Sequence, residues 1–414
     1  MENTTTISAS NARRLFYGSC FALITTALSF SIRAGILPQL GEELNLTAEQ
    51  LGFINSMWFF GFPISMIIGG LIYHKVGGKA IMQFAFFAHA IGIVMTIYSG
   101  SYIGLLISTF LIGLGNGCTE AACNPMIADA YKGNKMSKML NRFHMWFPGG
   151  IVIGSLVSKF MTDANLGWES QIWVILIPTL IYAYMFFGQT WPKAKVEEAA
   201  TLSSNFKAMV SPLFLFMLAC MALTAISEFG PQQWVGLILS KSGAQPMIIL
   251  ALVTGLMAVA RYFGGDMVKK FDQTGVLLGS AILATIGVYL FSTQTGVMAY
   301  VAAIFFALGI AYFWPNMIGF VADKIPKSGA LGMSVIGAMG MFSTSIFQPI
   351  IGKWIDSDKA AAEAAGLTGD ELELVAGQNT LETMTSFPAI LIVLFTLLWF
   401  WMRSRKAKAA PAAA

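Results

Sequence analysis

Long apolar runs alternate with short polar intervals along the whole chain. Twelve of these runs approach or exceed the ~20 residues that cross a hydrocarbon core of about 30 Å. Their bounds are 15–38, 50–73, 80–99, 102–127, 138–161, 170–189, 211–238, 246–264, 275–293, 297–321, 329–352 and 384–402. A backbone in lipid must satisfy its own hydrogen bonds, so each run predicts a transmembrane helix. The first run is too long for the apolar core of a signal peptide and has no small-residue cleavage site after it. The pattern predicts an all-α membrane protein with twelve transmembrane helices.

Composition narrows the class further. Of 414 residues, 56% are hydrophobic and only 11% are charged. A soluble domain carries about 25% charge, so a soluble enzyme, a nucleic-acid binder and a disordered regulator are all excluded as readings. The sign of the net charge matters less than its placement. All but five of the 25 lysines and arginines fall on the side of the membrane that holds the termini, among them Lys132, Lys193 and Lys195; the five are Arg33, Lys159, Lys241, Lys353 and Lys359. Basic loops stay inside, so both termini are expected in the cytoplasm and the chain in the inner (plasma) membrane. Segment 356–382 is acidic and alanine-rich and reads as a solvated helix on the far side. Cys20, Cys118, Cys123 and Cys220 sit in apolar stretches at spacings that suit neither zinc nor redox chemistry, and read as buried small hydrophobes.

The polar segment 189–210 separates six spans from six, giving an N-terminal bundle (1–188), a cytoplasmic linker (189–210) and a C-terminal bundle (211–414). An offset of 194 places Gly70 on Gly264, Lys75 on Lys269, Gly115 on Gly309 and Asp129 on Asp323. Matches at equivalent places in the span order point to duplication, and parallel six-span halves with a site between them are one transporter plan.

The loop Gly70-Leu-Ile-Tyr-His-Lys-Val-Gly-Gly-Lys79 resembles the signature of the major facilitator superfamily, with His74 where the family has an acid. The resemblance implies two pseudo-symmetric six-helix bundles and a cytoplasmic gate formed by Gly70, His74, Lys75 and Lys79, with Asp266 and Lys269 in the second copy. Ile36-Leu-Pro-Gln-Leu40, Gln50-Leu-Gly-Phe-Ile-Asn-Ser56, Glu120-Ala-Ala-Cys-Asn124-Pro125 and Leu140-Asn141-Arg-Phe-His144 further resemble the fucose–galactose–proton symporter family. That family's fucose permease has an acid near Ala34, where this chain has Arg33 alongside. The family's span 5 glutamine is His144 here.

Ionisable groups inside spans are functional candidates by default. Glu120 shares a helix face with Asn116 and Asn124, a stripe suited to hydroxyls, and a carboxylate there could also carry a proton. Arg33 needs a partner: Glu120 or Glu228, an anionic substrate, or the interface reached by snorkelling. His144 can donate, accept or titrate, and His89 reads as structural. Span 7 offers Glu228, Gln232, Gln233 and Trp234 around Gly230-Pro231; span 10 offers Trp314 and Asn316. Aromatic faces beside amides fit sugar rings.

These features predict a secondary-active carrier, not an enzyme, with no ATP, metal or cofactor site. The leading expectation is proton-coupled import of a monosaccharide or close derivative, with Glu120, Glu228 and His144 as proton sites. Organic anions clamped by Arg33 are the alternative, and drug efflux a weaker one. The expected partners are a small-molecule substrate, H+ and the lipid bilayer, with no nucleic acid, and the carrier is expected to be a monomer.

Overall fold

The structure is a computed structural model and describes residues 7–131, 134–192 and 202–409. Lys132 and residues 193–201 of the expected linker, Lys193 and Lys195 among them, therefore lie outside the described residues. In chain order the helices are α1 (Ala9–Glu43), α2 (Ala48–Tyr98), α3 (Tyr102–Ala130), α4 (Asn134–His144), α5 (Trp146–Asp163), α6 (Trp168–Phe186) and α7 (Leu202–Met209). They continue with α8 (Pro212–Ile238), α9 (Pro246–Tyr262), α10 (Gly264–Thr293), α11 (Val297–Ile310), α12 (Phe313–Lys324), α13 (Gly329–Ala364) and α14 (Gly369–Ala409).

Among the described residues, nine helical segments are long and apolar enough to cross a bilayer. Helix α2 has 51 residues, about 77 Å at 1.5 Å per residue, so it makes two passes. They meet at Gly77, whose φ of 77° is a left-handed conformation that glycine adopts freely. Segments α4–α5 and α9 supply the remaining two of twelve spans. The same turn recurs in α10 at Asp272 (φ 56°, ψ 171°), one residue from the 194 offset. Asp272 has a Cβ there, and its Oδ1 accepts from Thr274 N, Thr274 Oγ1 and Gly275 N, which caps the span that follows.

Helices α1–α6 form one six-span bundle, with α1 against α5 and α6, and α2 against α3. Helices α8–α14 form the other, with α10 against α11 and α14, and α8 against α13 and α14. The bundles are joined mainly by α2 with α13, α5 with α9, and α1 with α8. The expected span 5 is interrupted at Met145 and the expected span 10 at Ala311–Tyr312. The acidic segment is not a separate helix. It extends α13 to Ala364 and starts α14 at Gly369, so both spans project beyond the bilayer around a short turn.

The bundles meet tightly at the end that carries the 44–47, 239–245 and 365–368 turns. A Cβ on Gly52 would lie 2.5 Å from the Gln348 carbonyl, one on Gly352 2.2 Å from the Ala48 carbonyl, and one on Gly236 2.5 Å from the Ala34 carbonyl. Across the same face, Asp356 of α13 accepts from Ala48 N (2.9 Å) and Glu49 N (2.8 Å), capping α2 from the opposite bundle. Ser56 and Ser345 bond side chain to side chain at 2.9 Å. At the other end, which carries the termini, a Cβ on Gly70 or Gly77 would meet nothing within 4 Å. The hydrogen bonds and ring contacts between bundles among the described residues all lie in the middle or at the closed end. The molecule is shut at one end and parted at the other.

Gly352→Val is expected to prevent closure, because its neighbour is backbone and cannot rotate away. In detergent, a Ser56→Cys reporter should be protected from a maleimide in the parent and become labelled in the Gly352→Val background. Equal protection in both would show that the close approach is dispensable.

Candidate functional site

A layer of aromatic rings crosses the molecule at mid-depth. Phe30 of α1 packs against Phe147 (6.1 Å between centroids), Trp58 (5.7 Å), Phe59 (6.2 Å) and Phe229 (5.8 Å). Phe229 of α8 continues the layer to Trp314 of α12 at 5.9 Å. Edge-to-face pairs of this kind add about 0.5–1.5 kcal/mol each beyond their burial. The Phe30–Phe229 and Phe59–Phe229 contacts join the two bundles.

Arg33 lies one turn from Phe30, toward the closed end. Its side chain is buried, and α1 continues to Glu43, so snorkelling does not place its charge in water. It forms no ion pair with Glu120 or Glu228. One guanidinium nitrogen donates to Gln233 Oε1 at 2.8 Å, and the group lies 5.1 Å from the Trp58 ring and 5.9 Å from Phe59. Arg33 Nε has no acceptor. Gln233 Nε2 donates to the Phe30 carbonyl at 3.2 Å, which aims its oxygen at Arg33. Gln232 is also buried, with both amide atoms unpartnered, and Trp234 is fully buried with its Nε1 unpartnered.

Glu228, beside Phe229, meets a residue that the sequence reading placed with the terminal-side charges. Arg261 of α9 lies 3.5 Å from Glu228 Oε1, while Glu228 Oε2 is unpartnered. The available signal was its position, three residues inside the apolar run that ends at 264.

Asn116 shares its helix face with Glu120 but is committed elsewhere. Its Oδ1 accepts from His89 Nε2 at 2.9 Å, which requires the proton on Nε2 and leaves Nδ1 to accept from Tyr182 OH at 3.0 Å. Asn116 Nδ2 donates to Ser29 Oγ at 3.3 Å, and Ser29 Oγ also accepts from Trp58 Nε1 at 2.9 Å. This chain from α6 to α2 fixes the indole that faces Arg33. Asn116 is therefore not offered to a ligand here.

On the open side of the aromatic layer, Asn124 Nδ2 donates to Glu120 Oε2 at 2.6 Å. Both residues are half-buried, and Asn124 Oδ1 has no partner. Trp314 is half-buried, and Asn316 is buried one turn into α12. His144 is exposed at the last residue of α4, at the break before α5 and one turn from Phe147 of the aromatic layer. The expected gate residues His74, Lys75 and Lys79 are exposed, and Asp266 pairs with Lys269 at 3.2 Å on the surface. The candidates thus fall into two groups on either side of the aromatic layer, with Glu228 beside it. Among the described residues no three His, Cys, Asp or Glu side chains are grouped to hold a metal.

The sequence profile of the Major Facilitator Superfamily matches residues 19–357, and the chain belongs to that family. It is a multi-pass membrane transporter, not an enzyme. A hexuronate transporter of Bacillus subtilis (strain 168) is 26% identical over 182 residues, a match spanning 42% of this chain and 41% of the relative, under half its length. The L-fucose-proton symporter of Escherichia coli (strain K12) is 26% identical over 155 residues, 37% of this chain and 35% of the relative. A solved structure of a mutant nucleoside transporter NupG superposes with a TM-score of 0.78 at 13% identity, covering 94% of this chain and 99% of that one, and is a likeness of fold.

Asn116→Ala is expected to strand His89 and Ser29 at the cost of about 1–3 kcal/mol of stability, with transport affinity unchanged. A thermal shift measured beside uptake kinetics checks this. A large loss of affinity at parental stability would return Asn116 to the ligand site.

Proposed function

We propose that this protein is a secondary-active carrier of a small hydroxylated carboxylate, of the sugar-acid kind, working by alternating access of bundles 1–188 and 211–414 about the linker 189–210. The observation that carries this is Arg33. A guanidinium buried without a carboxylate costs several kcal/mol. Gln233 Oε1 occupies one acceptor position and Nε is left over, so a ligand carboxylate could replace the amide and engage two donors at once. The Gln233 contact then serves as the resting partner once substrate has left. Names among the relatives agree in kind: one is called a hexuronate transporter and another a sialic acid transporter.

Placing the termini in the cytoplasm by their basic loops makes the closed end the outer one, so this conformation is inward-open. The carrier works in the inner membrane as a monomer, since each chain holds both bundles and the site between them. A neutral monosaccharide is the second reading. It is favoured by Glu120 and Asn124, whose buried amide oxygen has no partner in the protein and lies beside groups suited to hydroxyls.

Arg33→Gln separates the readings. For a carboxylate such as glucuronate the loss should be about 2–5 kcal/mol, a weakening of at least about thirtyfold. Thermal shift and competition binding in detergent would read it, and equal binding of glucuronate and glucose by parent and Arg33→Gln would sink the anion reading. If hydroxyls are read by span 4, Asn124→Ala should weaken binding by about 1–3 kcal/mol in the same assay. An unchanged affinity would move the hydroxyl site away from Asn124.

A further inference from the structure

We infer that Glu228 is the coupling carboxylate of this carrier, and that its ion pair with Arg261 transmits protonation to the broken span α11–α12. This rests on the transport reading above but not on its choice of substrate. The argument begins with Pro315. In a continuous helix the Ala311 carbonyl would accept from the backbone N–H four residues on, and proline has none. The span accordingly breaks, with α11 ending at Ile310 and α12 beginning at Phe313. Arg261 Nε donates to that Ala311 carbonyl at 2.9 Å. Tyr312 OH, from the break itself, donates back to the Ala260 carbonyl at 2.7 Å in the last turn of α9. The break is thus spliced to α9 by two reciprocal hydrogen bonds, one of them from a guanidinium.

Among the described residues that guanidinium is balanced by Glu228 alone, through one oxygen at 3.5 Å. Glu228 is 2% exposed, and its Oε2 has no partner. Other charges on helices packed against α8 are engaged elsewhere or exposed, as Lys353 of α13 and Glu382 of α14 are. Arg33 of α1 is held by Gln233, Asp356 of α13 caps α2, Asp370 of α14 pairs with Lys241, and Asp323 and Lys324 of α12 pair with each other. A proton added at the free Oε2 turns the carboxylate into a neutral carboxyl, and no other bond is made or broken. Arg261, whose side chain is 28% exposed while that of Glu228 is buried, then loses its counter-charge. Its bond to Ala311 is no longer anchored, and α12, which carries Trp314 and Asn316, is free to swing. When the proton leaves, the pair and the splice re-form. Glu228 acts as a positioning group for α12 and need not touch the substrate.

The test uses the full chain in proteoliposomes with glucuronate as the probe. Glu228→Gln should lose accumulation above equilibrium under an imposed pH gradient while retaining counterflow of labelled glucuronate. Spin labels at Val259 and Ala322, both exposed, supply a substrate-free readout. In the parent their distance distribution should change between alkaline and acidic pH, and in Glu228→Gln it should show the acidic form at both. Uphill accumulation by Glu228→Gln, or a distribution that still follows pH, overturns the proposal. Loss of counterflow together with accumulation also overturns it, since Glu228 would then belong to binding. If the parent does not carry glucuronate but the labels respond as described, the substrate reading fails and the coupling proposal stands.

Discussion

A guanidinium placed inside a bilayer has to find its acceptors within the protein, because neither lipid nor bulk water can supply them. Two arginines of this chain face that requirement and meet it differently. Arg33 has one amide oxygen and two aromatic faces, with no counter-charge and its Nε unpartnered. Arg261 has a carboxylate and a carbonyl freed by a proline. The first arrangement leaves room for an anion to bind. The second gives a proton something to break. Much of the polar structure around them serves these two groups, including the Tyr182–His89–Asn116–Ser29–Trp58 chain that holds the ring facing Arg33.

Alternation needs two packings that differ by only a few kcal/mol. The closed end is built from terms of that size. Glycines let α2 reach α13 and α8 reach α1 at backbone distance, which gains dispersion energy without side-chain entropy. Asp356 adds two charge-assisted hydrogen bonds and a favourable interaction with the helix dipole of α2, worth about 0.3–1 kcal/mol at an exposed site. None of these contacts is deeply interlocked, so the face can part as a unit. The aromatic layer beneath it joins the bundles through ring edges, which slide more readily than interdigitated aliphatic side chains.

Some of this was legible in the chain itself. Span number follows from run length, because a helix must be apolar for about 20 residues to cross; the unbroken run at 15–38 falls inside α1, and that at 211–238 matches α8 to within one residue. The six-plus-six arrangement follows from the offset of 194, and the recurrence of one turn at Gly77 and Asp272 gives that offset a backbone meaning. Arg33, Glu120 and Glu228 stand out because charge is rare in such runs. The resemblance in span 4 brought Asn124 into view, and its bond to Glu120 follows from i,i+4 spacing alone.

What the sequence could not decide is which polar group faces which. Asn116 and Glu120 share a helix face, yet one is locked to His89 on α2 and the other opens toward the parted end, because the neighbours along a single face change with depth. Arg261 resembled a loop charge, since a residue near the end of a run is assigned by counting, while its partner Glu228 lies 33 positions away on another helix. Asp356 looked like one acid in a solvated loop until the approach of α2 gave it two backbone donors. Hydropathy is a one-dimensional property of a segment and fixes how many times the chain crosses. Pairing depends on the rotation and crossing depth of helices packed against one another, and only the tertiary structure settles those.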